Sequence, residues 1–313
     1  MVDMTTVIGR LTLANPIMPG SGTIAENLAQ LTDMSRLGAI VVKTITRDIR
    51  RGVLPPRVAE FQDATLFSIG IPSKGPDYLI ETTIPFYTPF GPPIIASVSA
   101  NTSEDFGLMA EKLSVPGIAA IEANVSCPNL RAHGAAFGMD PQATAEVIRA
   151  MVARTDKPIW AKLTPNVGDI AEVARAAEDA GAEAVIVGNA ILGLAVDAEA
   201  MRPRLGNVIG GLTGPAVKPI LLRMTNQCAG AVNIPVIGCG GISNGEDVAE
   251  YLLAGATAVQ MGTINFVDPN AMVTAIDWLD DYCKRHGVRS VSHLTGAMAA
   301  SHDGPARLGL AAE

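Results

Sequence analysis

The sequence predicts an α/β fold closed into a single (β/α)8 TIM barrel. Three observations carry that expectation: eight short apolar runs, helical patterns between them, and polar or glycine residues following the runs. The runs are residues 16–19, 39–43, 94–98, 119–123, 159–163, 184–187, 235–238 and 258–261. Continuous apolar runs of this length suit strands buried on both faces of a parallel sheet. A doubly wound open sheet is the rival architecture, and eight strands each followed by a thread of polar residues favour the barrel.

The helical patterns carry their own punctuation. The stretch 103–113 opens on Ser103 as a cap with acids in its first turn. The stretch 141–154 has Pro141 in its first turn and basic residues at its end. The stretch 169–180 repeats apolar residues at three- and four-residue spacing and stops at Gly181, and 245–253 stops at Ala254-Gly255. Two segments exceed ordinary loop length, 44–92 after strand two and 192–215 after strand six. Long insertions over a barrel's active face often form lids or substrate walls. The basic run Arg47, Arg50 and Arg51, with Arg57 beyond it, reads as solvated surface. The barrel is expected over residues 1–290, followed by a carboxyl-terminal tail over 291–313 that is loosely ordered or packed on a partner.

With 313 residues, 48% of them hydrophobic, the chain can bury a large core. A net charge of −8 argues against nucleic acid as a main partner. No apolar run reaches the roughly 18 residues that span a membrane. The start Met1-Val2-Asp3-Met4-Thr5 lacks the basic-then-apolar pattern of a secretory signal, so a cytoplasmic location is expected. Cys127, Cys228, Cys239 and Cys283 form no CxxC pair and no zinc or iron–sulfur framework. His133, His286, His293 and His302 lack metal-ligand spacing, the last two reading as solvated tail. No metal site is expected, and any cluster chemistry would belong to a partner.

The candidate chemistry lies at the strand ends. Strand one ends in Gly20-Ser21-Gly22-Thr23, where small residues admit a flat ligand to the backbone. Strand two ends in Lys43-Thr44, strand four leads to Asn124 and Cys127, strand five ends in Lys162, and strand six leads to Asn189. Two lysines ending apolar strands are costly to bury without an anion or an electron-rich ring, although an ordinary ion pair is the plain alternative. Cys127 in Asn124-Val125-Ser126-Cys127-Pro128-Asn129 suits a proton-transfer group beside a hydrogen-bonding ring, the alternative being a buried small hydrophobe. Glycine-rich turns follow at Gly210-Gly211-Leu212-Thr213-Gly214, Gly238-Cys239-Gly240-Gly241 and Gly262-Thr263. Phosphates commonly sit after strands seven and eight of such barrels. Lysines and amides for a ring plus a phosphate cradle add up to a flavin mononucleotide (FMN) site, with a phosphorylated sugar as the physical alternative.

On these residues the chain resembles the class 1 dihydroorotate dehydrogenases from about Leu11 to Phe266. Supporting stretches are residues 15–23, Pro56-Arg57-Val58-Ala59-Glu60, Lys162-Leu163-Thr164-Pro165 and Ala254-Gly255-Ala256. The resemblance implies a flavoprotein in which Cys127 removes a ring proton while hydride passes to flavin N5. It implies FMN contacts from Gly20, Ser21, Gly22, Lys43, Thr44 and Asn124. Further contacts are implied for Lys162, Gly188, Gly214, Gly240, Gly241, Gly262 and Thr263. Lys43, Asn124, Asn129 and Asn189 would surround a small cyclic substrate. One branch of the family, the one this chain looks closest to, pairs with a second subunit carrying FAD and an iron–sulfur cluster. Homo-oligomerisation suits the fold, although no sequence feature establishes it.

Departures fall in the substrate pocket. Where the family reads Asn-x-x-Gly-Leu-x-Asn-x-Gly, this chain reads Phe67-Ser68-Ile69-Gly70-Ile71-Pro72-Ser73-Lys74-Gly75. Ala190 replaces a hydroxyl-bearing residue after Asn189, and Ser97 replaces a flavin-side Asn. Each unpaired partner costs about 1–3 kcal/mol. The expectation is therefore an FMN-dependent CH–CH oxidoreductase acting on a ring more apolar than dihydroorotate. An authentic dihydroorotate dehydrogenase of pyrimidine biosynthesis is the alternative, and a non-catalytic flavin-binding subunit is a third reading. Direction of reaction and electron acceptor are not written in these residues. No Gly-x-Gly-x-x-Gly opens a helix to give NAD a domain of its own.

Overall fold

The computed structural model describes residues 2–126 and 137–298, and in it the eight runs form one parallel sheet. Barrel strands one to eight are Ile17–Pro19, Ile40–Val41, Ile94–Val98, Ile118–Asn124, Ile159–Lys162, Ala184–Val187, Val236–Cys239 and Ala258–Met261, paired in the order 1-8-7-6-5-4-3-2. Strands one and two meet through Gly38, whose N–H donates to Ile17 O at 2.8 Å. A Cβ there would lie 2.0 Å from Asn15 O, so only glycine lets the barrel close at this seam.

Strand residues alternate between two cores, as the two-residue period requires. Met18, Val41, Ile95, Ala120, Trp160, Ile186, Ile237 and Ala258 fill the barrel. Their neighbours Ile17, Ile40, Ile94, Ile121, Ile159, Val185, Val236 and Val259 pack beneath the helices. Two residues further along the strands come Gly20, Lys43, Ser97, Glu122, Lys162, Cys239 and Gln260 on the inward side, while Gly188 turns toward Leu221 beneath the helices. The apolar layer is thus the floor on which a polar layer stands.

Helices Ser103–Lys112, Pro141–Val152, Ile170–Asp179 and Gly245–Leu253 fall where their patterns place them, capped by Thr102, Asp140, Asp169 and Asn244. The first cap is a correction: Ser103 is already helical, and the Thr102 hydroxyl accepts from Asp105 N at 3.0 Å. Lys218–Ala229 and Ala271–Arg285 complete the later units. After strand one, only the 3-10 turns Leu28–Gln30 and Met34–Arg36 occur among the described residues, in place of an α-helix.

The two long insertions are not independent loops. Val58–Glu60 and Thr65–Phe67 from the first join Ile191–Leu194 and Ile209–Thr213 from the second in a four-stranded antiparallel sheet. Gly210 and Gly211 are therefore strand residues rather than a phosphate turn. A Cβ on Gly210 would lie 2.5 Å from Leu205 Cδ1, and one on Gly211 2.5 Å from Ala190 Cβ. The first insertion returns to the barrel through the helical stretch Gly75–Tyr78, Leu79–Thr83, Ile84–Tyr87 and Thr88–Phe90. At the other end, Val291 and Leu294 are buried and Val291 N donates to Asp3 O at 2.8 Å, so the segment expected as a tail begins as packed chain. Residues 299–313 lie outside the described residues.

Trp160, fully buried at the centre of the barrel floor, has an indole N–H with no hydrogen-bond partner among the described residues. Trp160→Ala is expected to lower the unfolding free energy by about 3–5 kcal/mol. Trp160→Phe keeps a ring and removes the unpaired donor, and should cost less than half as much. Denaturant unfolding of both variants checks this, and equal losses would contradict it.

Candidate active site

The polar layer converges on one carboxylate. Glu122, with no exposed surface, accepts from Ser97 Oγ at 2.6 Å on one oxygen and from Gln260 Nε2 at 2.8 Å on the other. Lys162, 3% exposed, donates to Gln260 Oε1 at 2.7 Å and to Ser21 Oγ at 3.3 Å. Its ammonium stands 3.8 Å from Glu122. The ion pair weighed as the plain reading of a buried lysine is therefore present, and the same lysine still reaches the loop after strand one.

A second branch runs from Glu122 toward strands two, four and six. Thr44 Oγ1 lies 2.8 Å from Ser97 Oγ, and Asn124 Nδ2 donates to Thr44 Oγ1 at 3.3 Å. Asn124 Oδ1 accepts from Ser126 Oγ at 2.5 Å and from Asn189 Nδ2 at 3.4 Å, while Asn189 Nδ2 also donates to Ser126. Asn189 Oδ1 accepts from Ala190 N at 2.9 Å, which fixes the start of the second insertion over the same cluster. Thr44, Asn124 and Asn189 are thus brought together as expected. Cys127 and Asn129, next in the chain after Ser126, lie outside the described residues.

Loops after strands one and eight lock to each other. Gly20 N donates to Met261 O at 2.7 Å, and Asn265 Nδ2 donates to both Thr23 Oγ1 and Met261 O, at 3.0 and 2.9 Å. Thr263 Oγ1 reaches Thr213 Oγ1 at 2.9 Å, tying this rim to the insertion sheet. Lys43 stands beside Gly22, its Nζ 3.6 Å from where a Cβ would be.

FMN, the group expected from the sequence, fits this ground. A Cβ on Gly20 or Gly262 would meet nothing nearer than 3.5 and 3.8 Å, so both glycines leave room at the mouth. Asn265 Oδ1 is a buried acceptor without a partner among the described residues. Gly240 and Gly241 have φ of 138° and 70°, and there a Cβ would strike Leu221 at 2.6 Å and Lys218 at 2.7 Å. The helix beneath therefore also demands glycine in that turn. Lys218 is committed to Asp247 at 2.6 Å and Glu250 at 2.7 Å, which leaves backbone groups of Gly240, Gly241, Gly262 and Thr263 as the candidates for a phosphate.

Other expected contacts are placed differently. Ser97 has no exposed surface and its hydroxyl is shared between Thr44 and Glu122, so it acts behind the mouth rather than on it. Ser73 is buried; its Oγ accepts from Thr46 N at 3.0 Å and Gly75 N at 3.1 Å, bracing backbone. Ser68 Oγ accepts from Asn207 Nδ2 at 3.2 Å, and Phe67 pairs with Gly211 and Val58 in the insertion sheet. Ile69, Gly70 and Ile71 continue that edge, and Ile71 has φ of 46°, strained for a β-branched residue. Gly188 is buried against Leu221, 3.3 Å from where a Cβ would be, and Gly214 stands against Ala64 at 3.0 Å. Lys74 lies 3.9 Å over the Tyr78 ring.

Sequence reasoning missed Glu122, Gln260, Ser126, Asn166 and Asn265. The first two had a signal: a lone acid in 119–123 and a lone amide in 258–261. Asn166 had none, yet it holds Ala190 O at 3.0 Å and Leu192 N at 2.8 Å.

Burial pushes the Cys239 thiol up, opposed by Lys162, and pushes Cys228 up to about 12 and Cys283 up to about 11. Cys228 and Cys283 are fully buried and form thiolate only as pH rises toward those values, so alkylation at pH 8 should leave both unmodified in native protein. Peptide mass mapping checks this, and modification of either before unfolding contradicts it.

Comparison with known proteins places this geometry. The family model described as Dihydroorotate dehydrogenase matches residues 3–282. "Dihydroorotate dehydrogenase B (NAD(+)), catalytic subunit" of Bacteroides thetaiotaomicron is 44% identical over 301 residues, covering 95% of this chain and 99% of that protein. The protein of the same name from Desulforamulus reducens is 44% identical over 299 residues, 95% and 98% of the two chains. That from Porphyromonas gingivalis is 43% identical over 307 residues, 97% and 100%. This chain belongs to the dihydroorotate dehydrogenase family.

Proposed function

We propose that this chain is an FMN-dependent oxidoreductase acting on the CH–CH bond of dihydroorotate, the catalytic subunit of an enzyme that passes electrons through a second subunit to NAD+. The observation that carries this reading is the hydrogen-bonded cluster of Thr44, Asn124, Ser126 and Asn189, whose Ser126 precedes Cys127 in the sequence. Near full-length similarity to proteins named as catalytic subunits supports it. That similarity also favours dihydroorotate over the more apolar ring expected from Phe67, Ser73 and Ala190. Ser73 in particular braces backbone, so its change from asparagine need not register in a substrate contact.

Bound FMN supplies a hydride acceptor. The protein's part is to hold and deprotonate the ring. Cys127, as thiolate, takes a ring proton, and as thiol returns one in the reverse direction through the same geometry. Asn124 and Asn189 hold each other and offer their remaining hydrogen-bonding capacity to the substrate. Lys162, which reaches Ser21, would hold the cofactor together with that loop, and Lys43 stands at the open edge beside Gly22. No helix among the described residues is long and apolar enough to cross a membrane.

Anaerobic addition of dihydroorotate to the FMN-loaded protein should bleach the visible flavin absorbance promptly. Cys127→Ala should retain FMN and slow the bleaching by about 10²–10⁴-fold, the range for loss of a general base. A wild-type flavin spectrum that stays oxidised would contradict the substrate assignment and revive the more apolar ring.

A further inference from the structure

Two hydrogen-bonded chains of the polar layer end on Glu122. On one side Asn124 donates to Thr44, and Ser97, bonded to Thr44, donates to Glu122 Oε1. On the other, Lys162 donates to Gln260 Oε1 and the same amide donates from Nε2 to Glu122 Oε2. The orientation of Gln260 is fixed twice over, since an ammonium demands its oxygen and a carboxylate demands its nitrogen. Glu122 has no exposed surface, so its charge is balanced by Lys162 and by these oriented dipoles.

We propose that Glu122 is a positioning residue that aims Lys162 at the cofactor through Gln260 and sets how strongly the site favours reduced flavin. This rests on the reading that FMN binds against Ser21 and Lys162. Reduction adds electrons to the bound group, so a nearby positive charge favours the reduced state and a negative charge paired with it opposes that preference. Glu122 thus holds in check the charge it positions.

Glu122→Gln removes the charge alone. Its amide oxygen can accept from Gln260 and its amide nitrogen can donate to Ser97, with the hydroxyls of Ser97 and Thr44 rotating to suit. The midpoint potential of the bound flavin is the readout, because a merely structural role would not move it. Glu122→Gln should favour reduced flavin by at least about tenfold, a rise of about 30 mV for a two-electron couple. Ser97→Ala, which changes no charge, should leave the potential near the wild-type value. A potential unmoved or lowered in Glu122→Gln, or moved equally by Ser97→Ala, overturns the proposal. If Glu122→Gln does not fold, the double variant Glu122→Gln/Lys162→Gln removes both charges and should recover folded protein. A double variant as unstable as the single one also overturns it. Wild-type protein that takes up no FMN overturns the cofactor reading and the proposal together, whereas loaded protein with an unresponsive potential overturns only the proposal.

Discussion

An ammonium and a carboxylate withdrawn from water above a floor of Trp160, Ile186 and Ile237 must answer each other, and Glu122 and Lys162 do so through the amide of Gln260. Removing one partner of such a buried pair typically costs about 3–5 kcal/mol, because the charge left behind has no counterpart. That constraint reaches outward. Ser97 and Thr44 are oriented by Glu122, Asn124 by Thr44, and Asn189 by Asn124, so the polar groups at the mouth are ordered by a charge buried behind them.

The barrel supplies this order cheaply. Alternate residues on parallel strands make the inward set apolar at one level and polar two residues later, without any change in backbone path. Above the mouth, each insertion folds into an antiparallel pair, and the pairing of Ile209–Thr213 with Thr65–Phe67 joins the two pairs into one sheet. Thr263 bonds to Thr213 at one margin of that sheet, and Asn166 anchors its start at the other. The insertion sheet is thereby tied to the loop after strand eight by side chains as well as by chain connectivity.

Much of this was legible in the sequence, and for physical reasons. The eight strands were readable because both faces are buried and their residues run almost wholly apolar. Helices with a proline in the first turn, as at Pro141, or a glycine stop announced their own ends. The strand Ile209–Thr213 was misread because its glycines, needed for close approach to Leu205 and Ala190, look like a turn when the partner strand is unknown. Ser97 and Ser73 were read as ligand contacts because composition marks a polar residue but not the direction it faces. Glu122 and Gln260 went unread because a charged or amide side chain within an apolar run acquires meaning only when the strands close and bring the two within a hydrogen bond.

If this mouth oxidises dihydroorotate with FMN as the immediate acceptor, as proposed, product and reduced flavin must form together. The most direct measurement is the amount of orotate formed per flavin in one anaerobic turnover, by chromatography and mass spectrometry. The account predicts one orotate for each FMN reduced. Flavin reduction with no orotate, or no turnover by protein fully loaded with FMN, would contradict it.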